Sequence, residues 1–360
     1  MGENNFEQLM RMLPEGWEEK AKELGALQRS REIKTADELL RLILLYLTEG
    51  KSFRGTSALM RLAGEAEISD VALLKRMRNS AAWLQWLCEN IYRRAGLTAE
   101  KPQWLKNKNV LLLDGSEDVK CGVRRQCYML HYSLDLFTLA PRELLVTDRR
   151  TGEKLRNFSK LGKDDIVVGD RIYGSPTGIN YLQKRKTGYV LRIQSRMFTL
   201  YNSKKQKIDL LKRLSKLKEG KIADISAECI INNQYETLRI CAVRKDLKSE
   251  RAGMKRLVKA NQRKRGGKPV TDLQMENNKY IIVVTSLGNE VSASQVLELY
   301  RMRWQIEMAF KRLKSLFHYN DLPAKHSKSV MAWFYGKLLL AALCETLANT
   351  GRFSPSGRPE

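Results

Sequence analysis

The sequence predicts an α/β protein: a mixed five-stranded sheet with flanking helices, interrupted by a β-rich insertion and preceded by an N-terminal helical domain. Three observations predict it. Apolar residues recur at helical spacing between Thr35 and Gly96. At Asn109 the texture changes to short apolar runs closed by aspartate and glycine. From about Met197 to Val291, strand-like pieces alternate with very basic segments. The expected boundaries are 1–105 for the helical domain, 106–196 for the first part of the core, 197–291 for the insertion, 292–347 for the rest of the core and 348–360 for a tail.

Each element has a local cause. Thr35 followed by Glu38 is a capping box, and Leu39, Leu40, Ile43, Leu44 and Leu47 then form one apolar stripe. Ser69 caps "DVALLKRMRN", whose end carries Lys75, Arg76 and Arg78, and "AAWLQWLCENIYRRAG" is the next helix. Short helices joined by tight turns, one with a basic end, suit a DNA-binding module. A plain bundle with a solvated basic face would use the same residues. "NVLLLDGSEDV" reads as a buried strand ending near Asp114, with "QCYMLHYSLDL" and "RELLVTD" as antiparallel neighbours. "RTGEKLRNFSK" is expected to be a short helix. "DDIVVGDRIYG" repeats the first design and runs into Asp170, "SPTGINYLQKRK" is a helix capped near Ser175, and "GYVLRIQSR" is the fifth strand. In the insertion, "KIADISAECIINN", "YETLRICAVRK" and "KYIIVVTSL" read as strands, and Met331 to Leu347 is an apolar helix.

Composition bounds the function. The 360 residues suffice for about two domains, and 43% hydrophobic residues mark a globular chain. Lys and Arg number 65 against 40 Asp and Glu, a formal charge of +25 that favours a polyanionic partner. No apolar run is expected to reach the roughly 18 residues that span a bilayer. "MGENNFEQLM" lacks the basic start and apolar core of a signal peptide, so nucleic acid is a better partner than a membrane. Cysteines at 88, 121, 127, 229, 241 and 344 form no dense framework, which suits a reducing compartment. Cys121, Cys127 and His131 lack CxxC spacing and a fourth ligand, so strand packing explains them better than zinc. "EGKS" at 49–52 is similar to the end of a phosphate-binding loop, but Leu45 stands where that loop needs glycine, and no nucleotide cofactor is expected. Between Lys184 and Lys221 there are 13 basic residues and two acids; between Lys248 and Lys268 there are nine and one. Two such runs flanking one β-rich segment suggest a surface that tracks phosphates.

The chemistry is concentrated in "VLELYRMRWQIEMAFKRLKSLF". As one helix it places Tyr300, Arg303, Glu307, Lys311 and Lys314 within an arc of about 80°. Leu299, Ile306, Phe310, Leu313 and Phe317 form a separate stripe that would pack on the sheet. A carboxylate flanked by cations can hold a divalent ion while its neighbours hold DNA phosphates. An i,i+4 ion-pair ladder through Arg303, Glu307 and Lys311 is the bland alternative, and it leaves Tyr300 and Lys314 unexplained. Asp114 and Asp170, each at the end of an apolar strand beside glycine, add two carboxylates. Two Asp and one Glu make an oxygen-rich site suited to Mg²⁺ or Mn²⁺. A pair of such ions about 4 Å apart would serve phosphodiester chemistry.

These residues resemble a known family. Tyr300, Arg303, Glu307 and Lys314 fit a Tyr-(2)-Arg-(3)-Glu-(6)-Lys signature, and "LLLDGS" and "VGDRIYG" resemble the two aspartate motifs of the same group. The chain resembles a DDE transposase of the bacterial insertion-sequence family four, from about Asn109 to Leu316. The resemblance implies an RNase H-like core and Mg²⁺, replaceable by Mn²⁺, held by Asp114, Asp170 and Glu307. It implies end-DNA contacts by Tyr300, Arg303 and Lys314, beside which Lys311, Arg171, Lys75, Arg76 and Arg78 are further candidates. It also implies double-stranded DNA partners (terminal inverted repeats and target), a homodimer on DNA, and a place in the bacterial cytoplasm with the nucleoid. The insertion has no tryptophan, so Phe198 or Tyr201 would supply the aromatic that relatives use to hold a flipped base. Cutting without joining, or a truncated remnant that only binds DNA, are the alternative expectations.

Overall fold

A computed structural model describes residues 3–28, 32–50, 52–94, 99–118, 128–263, 266–316 and 326–352. The N-terminal helices are α1 (Glu3–Met10), α2 (Trp17–Glu23), α3 (Ala36–Glu49), α4 (Phe53–Leu62), α5 (Asp70–Asn79) and α6 (Ala81–Arg94). Their starts are set locally. The Thr35 hydroxyl accepts from the Glu38 N–H at 3.1 Å, and the Glu38 carboxylate accepts from the Thr35 N–H. Ser69 caps α5 in the same way at 3.2 Å. Ser52, the last residue of "EGKS", caps α4 at 3.2 Å, while Lys51 lies outside the described residues.

The sheet begins with β1 (Asn109–Asp118), β2 (Tyr128–Asp135), β3 (Pro141–Asp148) and β4 (Asp165–Gly169), followed by α7 (Pro176–Lys184) and β5 (Gly188–Arg192). Next come β6 (Leu200–Tyr201), β7 (Lys207–Ile208), α8 (Leu210–Leu214), β8 (Ile222–Ile231), β9 (Gln234–Arg244), α9 (Leu247–Gln262), α10 (Asp272–Asn278) and β10 (Tyr280–Thr285). The chain closes with α11 (Ala293–Arg301), α12 (Trp304–Leu316) and α13 (Ser327–Arg352). The five strands expected for the core are present in the order β3-β2-β1-β4-β5, with β1 parallel to β4 and β4 parallel to β5. The sheet does not stop at five strands. β10 pairs antiparallel with β5 and then with β9, giving a ten-stranded sheet continued by β8, β6 and β7. The cause is visible in β5, where Tyr189, Val190 and Leu191 are all buried; an edge strand this apolar needs a covering neighbour.

Alternation along β1 divides the core between the two faces of the sheet. Val110 and Leu112 join a cluster with the N-terminal helices, α11 and α13, and Leu111 and Leu113 join one with α7, α8 and β8. α13 packs on α6, α5 and α3, with Leu338 and Leu339 fully buried. By length and composition its stretch Lys328–Leu347 could cross a bilayer, which corrects the expectation that no such run exists. Most of that stretch is buried in the protein, and a helix wrapped by other helices is apolar all round.

Two local expectations also change. "RTGEKLRNFSK" forms two 3-10 turns, Arg149–Thr151 and Leu155–Asn157, because Gly152 between them is left-handed with φ 67°. Asp114 lies within β1 rather than at its end, since pairing with β2 continues from Asp114–Tyr132 to Asp118–Tyr128. On the β4 side, pairing ends at Leu113–Gly169, so Asp114 is flanked by a partner on one side only.

Candidate active site

The parallel pairing of Leu113 with Gly169 brings the next residues, Asp114 and Asp170, to the same end of adjacent strands. The Gly115 N–H donates to Asp114 Oδ1 at 3.0 Å. Burial raises the Asp114 pKa to about 6; the charge of Glu153 adds to the rise, while the Gly115 N–H and Arg303 oppose it. Asp170 Oδ1 is buried without a hydrogen bond, with the Arg171 Nε and Arg192 Nη1 atoms each 4.0 Å away.

The helix carrying Glu307 is not continuous. α11 ends at Arg301 and α12 begins at Trp304. Through the break the backbone uses tight bonds three residues apart, Arg303 N–H to Tyr300 C=O at 3.1 Å and Ile306 N–H to Arg303 C=O at 3.2 Å. A single helical wheel therefore does not describe Tyr300 and Glu307 together. Tyr300 turns inward, 6% exposed, with its hydroxyl buried against the Arg303 guanidinium, near Arg192 and Asp170, and closing no hydrogen bond of full geometry. Arg303 sits in the angle and forms an ion pair with Glu307, whose side chain is 56% exposed. Burial works against the Arg303 charge, yet Tyr300, Asp170 and Glu307 hold its pKa above the ordinary arginine value.

Asp114 and Glu307 face each other across a cleft of about 480 Å³ that Gly115, Ser116, Phe310, Lys311 and Lys314 also line. Asp170 is outside this lining and meets the site through Asp114 and Arg303. Among the described residues no three His, Cys, Asp or Glu side chains stand at cation-binding spacing. The donors nevertheless fit a hard divalent cation. They are carboxylate oxygens, one buried Asp170 oxygen accepts no hydrogen bond, and burial raises the pKa of Asp114.

The other expected residues lie apart from this centre. Lys75 is exposed on α5 and Arg76 is half-buried beside it. Arg78 donates from Nε to the Ser329 hydroxyl at 3.0 Å, tying α5 to α13. The His131 ring is buried, bonded to Thr147 and Asn157, and its pKa is lowered to about 4 by burial; Cys121 and Cys127 lie outside the described residues. Phe198 is buried, while Tyr201 is half-buried and set edge-on to Tyr235, which is 48% exposed.

Sequence reasoning missed three groups. Glu153, in the loop after β3, approaches Gly115 so closely that an added Cβ would lie 2.7 Å from its carboxyl carbon. Tyr173 is 1% exposed, and its hydroxyl lies against the Glu153 carboxylate, near Asp114 and Asp170. Lys245 stands with Arg192, Arg256 and Arg171; burial and then these charges lower its pKa to about 8. Only Tyr173 had a local signal, its place in "DRIYG".

A mixed sheet with two carboxylates at the same end of adjacent strands, a third across a cleft and cations around it is a setting suited to metal-dependent phosphodiester chemistry. Residues 105–343 match the family described as Transposase DDE domain. The transposase for insertion sequence element IS421 of Escherichia coli is 34% identical over 345 residues, 93% of this chain and 91% of that one. A protein named for element IS186A of Escherichia coli K12 is 34% identical over 344 residues, 93% and 90% of the two chains. The transposase for IS1151 of Clostridium perfringens is 26% identical over 206 residues, 52% and 43%. The chain belongs to the DDE transposase family.

Proposed function

We propose that this transposase cuts the ends of its own element and joins them to target DNA at a site formed by Asp114, Asp170 and Glu307. One observation carries the assignment: Asp114 and Asp170 end up side by side beyond the Leu113–Gly169 pair, and Glu307, Lys311 and Lys314 share one cleft with Asp114. The strand order β3-β2-β1-β4-β5 supports reading the core as RNase H-like, assembled from 106–196 and 292–347 around the basic insertion 197–291. Residues 1–105 are read as a DNA-binding helical domain. The partners are terminal inverted repeats and target DNA, met by a homodimer in the bacterial cytoplasm.

Asp114, Asp170 and Glu307 would hold Mg²⁺, or Mn²⁺ in its place, and the ion would supply electrostatic stabilisation of the charge on the reacting phosphate. The protein's own residues set the rest. A phosphate entering the cleft competes with Glu307 for Arg303, so DNA binding frees the carboxylate to turn inward. The Tyr300 hydroxyl, buried beside Arg303, can donate to a phosphate oxygen once Arg303 turns to the DNA. Lys311 and Lys314 hold the strand on the cleft wall. In each step a P–O bond forms to water or to a 3′-hydroxyl as the bond to the leaving 3′ oxygen breaks.

The test separates chemistry from binding. Glu307→Gln should reduce cleavage of terminal-repeat DNA by orders of magnitude yet leave end binding intact, because removing a carboxylate lessens repulsion of phosphate. Lys314→Ala should weaken the complex first and cleavage through it. If Arg303–Glu307 were only a helix ion pair, both changes would cost a few tenths of a kcal/mol of stability and leave nicking unchanged. Near wild-type nicking by Glu307→Gln in Mg²⁺ overturns the assignment. Pre-cleaved ends supplied with target DNA distinguish joining from cutting alone.

A further inference from the structure

We propose that Arg171, Arg192, Lys245 and Arg256 form a second phosphate site, which holds the backbone of the DNA flanking the element while an uncut end is bound. The inference rests on the site proposed above and says where the DNA runs beyond it.

Four elements bring these cations to one end of the sheet. Arg171 follows Asp170 in the turn after β4, and Arg192 closes β5. Arg171 Nε and Arg192 Nη1 each lie 4.0 Å from Asp170 Oδ1, and the two side chains are 41% and 25% exposed, so a ligand can reach them. Arg192 pairs with Val283, and Val283 with Cys241. From Cys241, alternation along β9 brings Val243 and then Lys245 to the same face. The Lys245 N–H prolongs the ladder by donating to the Lys279 carbonyl at 2.9 Å. The Lys245 side chain is fixed in place. Its Nζ donates to the Asn278 carbonyl at 2.6 Å, and Asn278 Nδ2 donates to the Glu250 carbonyl of α9 at 2.8 Å. Gly253 lets α9 come this close, since a Cβ there would lie 2.3 Å from Asn278 Oδ1. Arg256, three residues further along α9, is exposed.

The cluster is short of negative charge. The acids beside it are Asp170 and Glu250, the latter favouring the charge on Lys245. Burial, and then the charges of Arg192, Arg256 and Arg171, lower the Lys245 pKa to about 8. A lysine kept only to fasten β9 to α10 gains nothing from three arginines acting on it, and a neutral donor would serve better. An anion set among them offsets the repulsion, and a phosphodiester presents one charge on two oxygens to such a group. Position says which phosphodiester. Across the sheet the strands run β1, β4, β5, β10, β9, so the cluster stands on the far side of Asp170 from Asp114 and the cleft. On the cleft side, Lys311 and Lys314 hold the element's own end. A strand whose reacting phosphate lies at the two aspartates continues past Arg171 and Arg192 toward Lys245 and Arg256, and that continuation is flanking DNA.

The experiment measures binding of two duplexes to the full-length protein in EDTA, so that neither is cut. One is a terminal repeat that continues into flanking DNA; the other is the same repeat ending at the point of cleavage. Lys245→Met, which keeps the stem, and Arg256→Gln, at an exposed position that folding does not need, should each weaken the flanked duplex about fivefold at about 0.15 M salt. Each should also reduce its log–log salt slope by about 0.9, while the pre-cut end binds as it does to wild type. Wild-type affinity and slope on the flanked duplex in either variant overturns the proposal. An equal loss on both duplexes places the phosphates inside the element and overturns the assignment to the flank. A lower Tm for Lys245→Met with wild-type affinity for flanked DNA assigns Lys245 to fastening β9 instead. Lys314→Ala is the companion: it should weaken both duplexes alike, and if it weakens neither, the reading of the cleft fails, whatever Lys245 and Arg256 do.

Discussion

Asp114 is a carboxyl kept under electrostatic stress. Its pKa rises from 3.8 to about 6 through burial, with Glu153 adding to the rise. A carboxyl raised in the folded state favours folding while protonated. That stability is complete below about pH 4 and is lost as pH climbs through about 6. In EDTA, wild-type Tm should therefore fall relative to Asp114→Asn across this window, by an amount worth up to about 3 kcal/mol; parallel melting curves would contradict it. Tyr300 offers the matching test on a neutral group. Tyr300→Phe removes a buried hydroxyl that closes no full hydrogen bond but lies against the Arg303 guanidinium, so the DNA-free protein should melt within about 1 kcal/mol of wild type. Cleavage should fall, since the hydroxyl's partner is proposed to arrive with the DNA. A destabilised Tyr300→Phe would mean the hydroxyl is satisfied within the fold. The two proposed aspartates were legible because each closes an apolar run and touches glycine. Glu153 was not, because its relation to Gly115 joins β1 to a loop beyond β3, and no local pattern encodes that.

Among the elements, those fixed by neighbours in sequence were readable and those fixed by packing were not. Thr35, Ser69 and Ser175 cap the helices they were expected to cap, each through a hydroxyl three residues away. The break between α11 and α12 has no Gly or Pro to announce it: Arg301, Met302, Arg303 and Trp304 all tolerate helix. It arises where Leu299 and Tyr300 on one side and Ile306 on the other must all be buried. Most of the second basic run proves to be α9, with Lys248, Arg251, Lys255, Arg256 and Lys259 exposed on it and Arg263 exposed just past its end. If α9 tracks phosphates, log affinity for DNA should fall with log salt by about 0.9 per contact. Reversing Lys255, Lys259 and Arg263 to Glu should flatten that slope, and an unchanged slope would leave α9 as solvated surface.

At the scale of the whole molecule, the strands of the insertion were visible from their apolar runs, but their destination was not. Pairing of β10 with β5 joins residues far apart in the chain, and period-two alternation says nothing about which strand lies alongside. The chain leaves the five core strands at Arg192 and returns opposite it, Val283 facing Arg192 and Thr285 facing Val190. The two ends of the excursion thus lie where a hairpin turn would otherwise connect β5 to β10. Between those ends the insertion extends the same sheet, and its α8 and β8 pack in the cluster that holds Leu111 and Leu113. The pairing that aligns Asp114 with Asp170 is fixed on the opposite side of β5, between β1 and β4. The charge on the exposed face of α9 can therefore change, retuning the grip on DNA, while the spacing of the two aspartates stays as it is.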